Sequence, residues 1–145
     1  MKINIASNEV IHFIGIGGIG MSGLAQIMNN MGFAIQGSDL SKNKNTERLI
    51  KKGIKVYFGH NQKNLRKTTM VVISSAVKEN NKELLAAKNK KLPIFKRGEM
   101  LANIVSLKKN IVITGSHGKT TTTSLVANIL VEAGLDPTVI NGGVI

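Results

Sequence analysis

The sequence predicts an α/β fold in which a parallel sheet is flanked by helices. Three observations predict it. Short apolar runs alternate with amphipathic stretches, glycines or small polar residues close most runs, and two of the strand-to-helix turns carry repeated glycines. Residues 11–16 read as a first strand, ended by the glycines of Gly15-Ile-Gly-Gly-Ile-Gly20. A helix follows, with Leu24, Ile27, Met28 and Met31 on one face and Gly32 as its stop. Residues 33–37 form a second strand closing at Ser38-Asp39. A short helix over 46–52 ends at Gly53, and a strand follows over 54–58. Residues 70–73 are the most clearly buried strand, leading into Ser74-Ser75; a helix over 82–90 and a strand over 93–95 come next.

A helical stretch over 99–105 runs into 106–110, which reads as a linker, and the pattern then restarts. Residues 111–114 read as a strand, 115–118 as a glycine-punctuated turn and 119–133 as a helix burying Leu125, Val126, Ile129 and Leu130. That helix stops at Gly134 with Pro137 beyond, and a further strand is expected from Thr138. Residues 1–107 are therefore expected to form one domain. Residues 108–145 are expected to be the truncated start of another, because a strand, a helix and the beginning of a strand cannot cover both faces of a sheet.

Bulk properties exclude several classes. With 42% apolar residues, the chain of 145 residues is rich enough in aliphatics to bury a core. It has no cysteine, so disulfides and thiolate metal sites are excluded. Residues 10–38 carry no formal charge, but their glycines, with Gln26, Asn29 and Asn30, break any continuous apolar span. The N-terminus lacks the build-up of a signal peptide. The chain is read as cytoplasmic with no membrane partner. Its net charge of +12 attracts anions. Aromatics at 3% offer few stacking platforms, no nucleic-acid motif is present, and the lysines read as solvated helix faces rather than a nucleic-acid surface.

The first glycine loop matches a dinucleotide-type fingerprint at Gly15, Gly17 and Gly20, which makes the first domain Rossmann-like. Glycine allows the backbone to approach a pyrophosphate, and the start of the following helix holds its charge. Gly17, Gly18, Ile19, Gly20, Met21 and Ser22 are the expected pyrophosphate contacts. Asp39, about 20 residues beyond the loop, stands where a carboxylate accepts from ribose hydroxyls. Ser74 and Ser75, ending a strand, are candidate further contacts, with turn formation as their alternative role. The fingerprint leaves open NAD or a UDP-linked sugar.

The second loop, Gly115-Ser-His-Gly-Lys-Thr-Thr121, lies where a triphosphate loop belongs, between a strand and a helix, although it is shorter than the full Walker pattern. Gly115, Ser116, His117, Gly118, Lys119, Thr120 and Thr121 are the expected ATP contacts. Lys119 is placed to neutralise phosphate oxygens, and Thr120 to offer a hydroxyl to Mg²⁺. A run of threonines at a helix start is a poor choice on propensity alone. His117 is read as a loop contact without a catalytic role.

Together the loops resemble those of the Mur ligase family, and the resemblance covers essentially the whole chain. His12-Phe-Ile-Gly-Ile-Gly-Gly-Ile-Gly-Met-Ser-Gly-Leu-Ala25, Gly37-Ser-Asp39, Ser74-Ser-Ala76, Arg97-Gly-Glu-Met-Leu101 and Gly115-Ser-His-Gly-Lys-Thr-Thr-Thr122 fall in the family's order. Ser116 departs from the usual Thr, and Asn80-Asn-Lys-Glu83 replaces an Asn-Pro-Glu type sequence. The first loop and the His before Gly-Lys-Thr are most like those of the alanine-adding member. The resemblance implies an ATP-dependent amide ligase of peptidoglycan-precursor synthesis, joining L-alanine to UDP-N-acetylmuramate through an acyl phosphate with ATP and Mg²⁺. It implies Lys119 as the catalytic cation and Thr120 as a metal ligand. The expectation for these 145 residues is UDP-sugar binding without turnover. Two rivals stand beside it: an NAD-dependent oxidoreductase, which leaves Gly-Lys-Thr-Thr unexplained, and a non-catalytic nucleotide-binding module.

Overall fold

The computed structural model describes residues 3–141. The chain divides into two compact units, Met1–Lys108 and Lys109–Ile145. In the first unit, strands β1 (Val10–Ile14), β2 (Ala34–Asp39), β3 (Lys55–Phe58), β4 (Met70–Ile73) and β5 (Ile94–Lys96) form one sheet in the order β3-β2-β1-β4-β5. Every neighbouring pair is parallel. Helices α1 (Ile19–Asn30), α2 (Lys44–Lys51), α3 (Lys82–Asn89) and α4 (Arg97–Ser106), with a 3-10 turn at Gln62–Leu65, complete the unit. The sheet with its flanking helices is the Rossmann-like α/β architecture that the strand and glycine pattern predicts.

Strand alternation sorts the side chains into two layers. Ile11 and Phe13 of β1, with Met70 and Val72 of β4, pack against Leu24 and Met28 of α1, Leu49 of α2 and Met100 of α4. On the other face Ile14 and Val71 meet Leu65 and, from α3, Leu84 and Ala87. Both faces are covered, which a parallel sheet requires. The strand order runs outward from β1 in both directions, so the chain reverses between β1 and β4. A crevice outside the carboxyl ends of the strands at that reversal is where doubly wound sheets take ligands.

Glycine stops α1 and α2 as expected, whereas α3 and α4 end without one. After α1, Gly32 is at φ 94°, its N–H donates to Asn29 and the next N–H, of Phe33, donates to Met28. Gly53 after α2 closes the same double hydrogen bond. After α3 the same left-handed position is filled by Lys91, at φ 55°. An L side chain there costs about 1 kcal/mol. Lys91→Gly is expected to raise stability by about 1 kcal/mol, read as a shift of the urea midpoint at unchanged slope.

Element boundaries differ modestly from the sequence expectations. The helix expected over 46–52 starts earlier, because Asn43 accepts from the Thr46 N–H and Thr46 Oγ1 accepts from the Asn43 N–H, each at 2.9 Å. Arg97–Ser106 extends the helix expected over 99–105, with Glu99 accepting from the Lys96 N–H at 3.0 Å.

The second unit contains helix α5 (Lys119–Glu132), ended by Gly134 in the same double-bonded manner. Three expectations for it are corrected. Residues 111–114 are not a strand: Ile111 and Val112 are 63% and 70% exposed, and among the described residues of this unit no strand offers them a ladder. Residues 138–141 are irregular for the same reason, and the remainder of that expected strand, 142–145, lies outside the described residues. Helix α5 buries none of its residues; Leu125 and Ile129 are exposed, while Val126 and Leu130 are half-buried. Among the described residues no helix is long and apolar enough to cross a membrane.

Candidate functional site

The turn between β1 and α1 is fixed from three sides. Gly15, at φ 82°, and Ile16 donate their N–H groups to the Ser38 carbonyl at 2.8 and 2.9 Å. The Gly17 N–H donates to Asp39 Oδ2 at 2.8 Å, and the Gly17 carbonyl accepts from Asn45 Nδ2 at 2.9 Å. A Cβ at Gly17 would lie 2.7 Å from both Asp39 Oδ2 and Asn43 Nδ2 and 2.9 Å from Thr46 Cγ2, so a larger residue has to push these side chains out of place. The turn therefore delivers the chain to α1 in one conformation.

Helix α1 opens with Gly18 as its cap, no side-chain cap bond and no acidic residue in its first turn. Its first engaged amide is that of Ser22, donating to the Gly18 carbonyl at 2.8 Å. The amides of Ile19, Gly20 and Met21 have no partner among the described residues. Three converging donors at the positive end of a helix, left without a neutralising side chain, form an anion cradle.

Beside it lies a cleft of about 530 Å³. Gly17, Gly18, Asp39 and Ser74, four of the expected contacts, line it, joined by His60 and Asn81. Ile19, Gly20, Met21 and Ser22 form the helix start, and Ser75 is exposed outside the cleft lining. The Met21 side chain sits in the core at 2% exposure, so only its backbone faces the cradle. Ser22 turns its hydroxyl back to donate to the Ile19 carbonyl at 3.1 Å. Asp39 braces the turn as well as facing the cleft, since Oδ1 accepts from the Leu40 N–H at 2.8 Å.

Beneath the cleft, on the α3 face, is a buried polar cluster that sequence reading missed. Glu83 Oε2 accepts from His12 Nε2 at 3.1 Å and from the Ser38 hydroxyl at 2.5 Å; Oε1 accepts from Asn64 Nδ2 at 2.6 Å. Gln36 Nε2 donates to the Asn64 carbonyl at 2.9 Å, which fixes the amide orientation. The same nitrogen faces His12 Nδ1 at 3.1 Å, leaving Nε2 as the imidazole donor to Glu83. His60 Nδ1, 2.9 Å from the Ser38 hydroxyl, connects the cluster to the cleft. Burial pushes the Glu83 carboxyl up, but hydrogen bonds from His12, Ser38 and Asn64, with attraction to the imidazole, outweigh it and hold it below the ordinary 4.5.

In the second unit, Gly118 caps α5 in the left-handed conformation at φ 76°, again with no side-chain cap and no acid in the first turn. The Lys119 ammonium donates to the Gly115 carbonyl at 2.6 Å, so it spans the turn. The first engaged helix amide is that of Thr122, donating to Gly118 at 3.0 Å. Ser116, His117, Thr120 and Thr121 are exposed around the same turn. Among the described residues no group of three or more His, Asp or Glu could hold a metal.

The sheet order and the helices on both faces define the first unit as an α/β domain of the doubly wound class. A sequence model described as the Mur ligase family, catalytic domain, matches residues 10–109. The chain belongs to the Mur ligase family. It is 68% identical over its whole length to the UDP-N-acetylmuramate–L-alanine ligase of Pelagibacter ubique, of which it covers 31%. It is 58% identical over 91% of its length to that of Aquifex aeolicus, covering 29%. The crystal structure of UDP-N-acetylmuramate-alanine ligase from Thermotoga maritima superposes with a TM-score of 0.83 at 35% identity, over 94% of this chain and 32% of that one. The UDP-N-acetylmuramate:L-alanyl-gamma-D-glutamyl-meso-diaminopimelate ligase from Neisseria meningitides gives 0.82 at 36%, over 94% and 43%. The chain thus spans about a third of the length of the curated relatives it matches.

Proposed function

We propose that this chain is the nucleotide-binding part of an ATP-dependent amide ligase that joins L-alanine to UDP-N-acetylmuramate. In this reading residues 1–107 hold the UDP moiety and residues 108–145 begin the ATP-binding domain. The observation that carries it is the run of free amides at Ile19, Gly20 and Met21, directly following the Gly17-Gly18 wall of the cleft that Asp39 also lines. The relatives named as L-alanine ligases supply the reaction. Pyrophosphate oxygens sit on the three free amides, the ribose hydroxyls donate to Asp39, and Ser74 closes the side towards β4.

The second loop fits a triphosphate by its own chemistry: an uncapped helix start, no acid in the first turn and a lysine held across the turn. When bound, ATP with Mg²⁺ supplies the phosphoryl group that activates the muramate carboxylate. Lys119 would neutralise the oxygens of that group, the loop amides of 115–121 would orient it, and the Thr120 hydroxyl would be the metal contact.

Calorimetry with the 145-residue chain tests this reading. UDP-N-acetylmuramate is expected to bind, NADH is not, and Gly17→Ala is expected to abolish binding, because the new methyl group displaces Asp39 and opens the turn. Binding of NADH in preference to the UDP-sugar would overturn it. Phosphate release from ATP and L-alanine is not expected from these residues alone, which are a third of the relatives' length.

A further inference from the structure

Arg97 is the first residue of α4, directly after β5. Its side chain lies across Gly20 of the cradle: a Cβ built on Gly20 would stand 2.9 Å from one guanidinium nitrogen, 3.1 Å from Cζ and 3.2 Å from Cδ. The missing side chain at Gly20 is therefore the seat of the guanidinium.

Nothing in the protein repays the charge placed there. Arg97 makes no ion pair or hydrogen bond among the described residues. Glu99, the acid in the first turn of α4, has its Oε2 engaged by the Lys96 N–H. The guanidinium stands at the positive end of its own helix and beside the positive end of α1, whose first turn contains no acid. Arg97 is exposed, so solvent screens its charge in the chain itself, and an anion entering between the two helix starts is attracted by both and by the guanidinium.

The sheet order says which part of the ligand this is. Asp39 ends β2 and His60 follows β3, both on one side of β1; Ser74 follows β4 and Arg97 follows β5, on the other. With the ribose at Asp39 and the pyrophosphate on the α1 amides, Arg97 faces the end away from the nucleoside.

We propose that Arg97 binds the distal, sugar-bearing phosphate of the nucleotide held at the β1–α1 turn. The assignment rests on the UDP-sugar reading above and adds to it the residue that distinguishes a diphosphate from a monophosphate.

The test is binding of UMP, UDP, UDP-N-acetylglucosamine and UDP-N-acetylmuramate to the 145-residue chain and to Arg97→Ala and Arg97→Lys, by calorimetry, with NMR titration for the weak ligands. In Arg97→Ala the three diphosphates are expected to weaken by the same factor, roughly ten- to hundredfold, with UMP unchanged. Arg97→Lys should recover part of the loss, because it keeps the charge and loses the fork. Unchanged UDP affinity overturns the assignment. So does an equal loss for UMP, which marks a structural effect, and so does a loss confined to the muramate, which marks a carboxylate contact. Failure of the unsubstituted chain to bind any of the diphosphates overturns the UDP-sugar reading and this assignment together. Binding that is indifferent to Arg97 overturns this assignment alone.

Discussion

Gly37→Ala is expected to cost the first unit about 3 kcal/mol and to weaken UDP-sugar binding at least about tenfold. A Cβ at Gly37 would stand 2.6 Å from the Phe13 carbonyl and 2.6 and 2.7 Å from Ile16 Cδ1 and Cβ. The carbonyl cannot yield, because Phe13 is the ladder partner of Gly37 in the β1–β2 pair. Ile16 cannot yield either: it is fully buried in the core and its N–H is bonded to Ser38. The strain must then move Ile16, and with it the turn that presents Gly17 and the α1 amides. Gly23→Ala is the matched control. It adds the same methyl group on α1, where nothing lies within 4 Å, and is expected to gain about 0.5–1 kcal/mol. Urea midpoints of the two variants decide the matter: a Gly37→Ala midpoint equal to that of the unsubstituted chain would mean that the β1–β2 contact is softer than its geometry implies.

The parts of this fold legible in the sequence are those written in local pattern. The strands of the first unit, the glycine stops at Gly32 and Gly53, and the cradle following β1 each depend on residues a few positions apart. So does the second turn at Gly118-Lys119. What was not legible depends on pairs brought together by the fold. Glu83 meets His12 across 71 positions, and Arg97 reaches Gly20 from a different strand's end. Neither pair has a spacing that a helix or strand period would reveal. Asn43 was closer to legible, since it stands three residues before Thr46 in a capping arrangement.

The second unit marks the opposite limit. Its helix and turn form as read, because the glycines at Gly118 and Gly134 that bound the helix act within the segment. Among the described residues its expected strands do not, because a strand exists only through hydrogen bonds to another. Periodicity finds the residues that would face a sheet, such as Leu125 and Ile129, but it does not supply the sheet. Exposure of those two at 58% and 66% is the expected state of an amphipathic face without a layer against it among the described residues.

The larger loss is expected at the buried cluster. Glu83→Ala removes the acceptor shared by His12, Ser38 and Asn64 and leaves their donors buried, two of them on fully buried residues. Stripping one partner from such a group costs about 3 kcal/mol or more. Glu83→Gln keeps the shape and one acceptor, and is expected to cost less. The pH dependence carries a definite sign. The folded carboxyl titrates below its ordinary 4.5, so the stabilisation is complete above that value and is lost as pH falls through the lower folded value. Acid unfolding of the native chain should therefore steepen below pH 4.5, and Glu83→Gln should flatten that limb while lowering stability at neutral pH. The effect reaches the cleft through Ser38 and His60: one neighbours Asp39 in β2, and the other lines the cleft wall. UDP-sugar affinity is expected to fall in Glu83→Gln even where the chain remains folded. A variant with unchanged acid unfolding and unchanged affinity would reduce the cluster to packing.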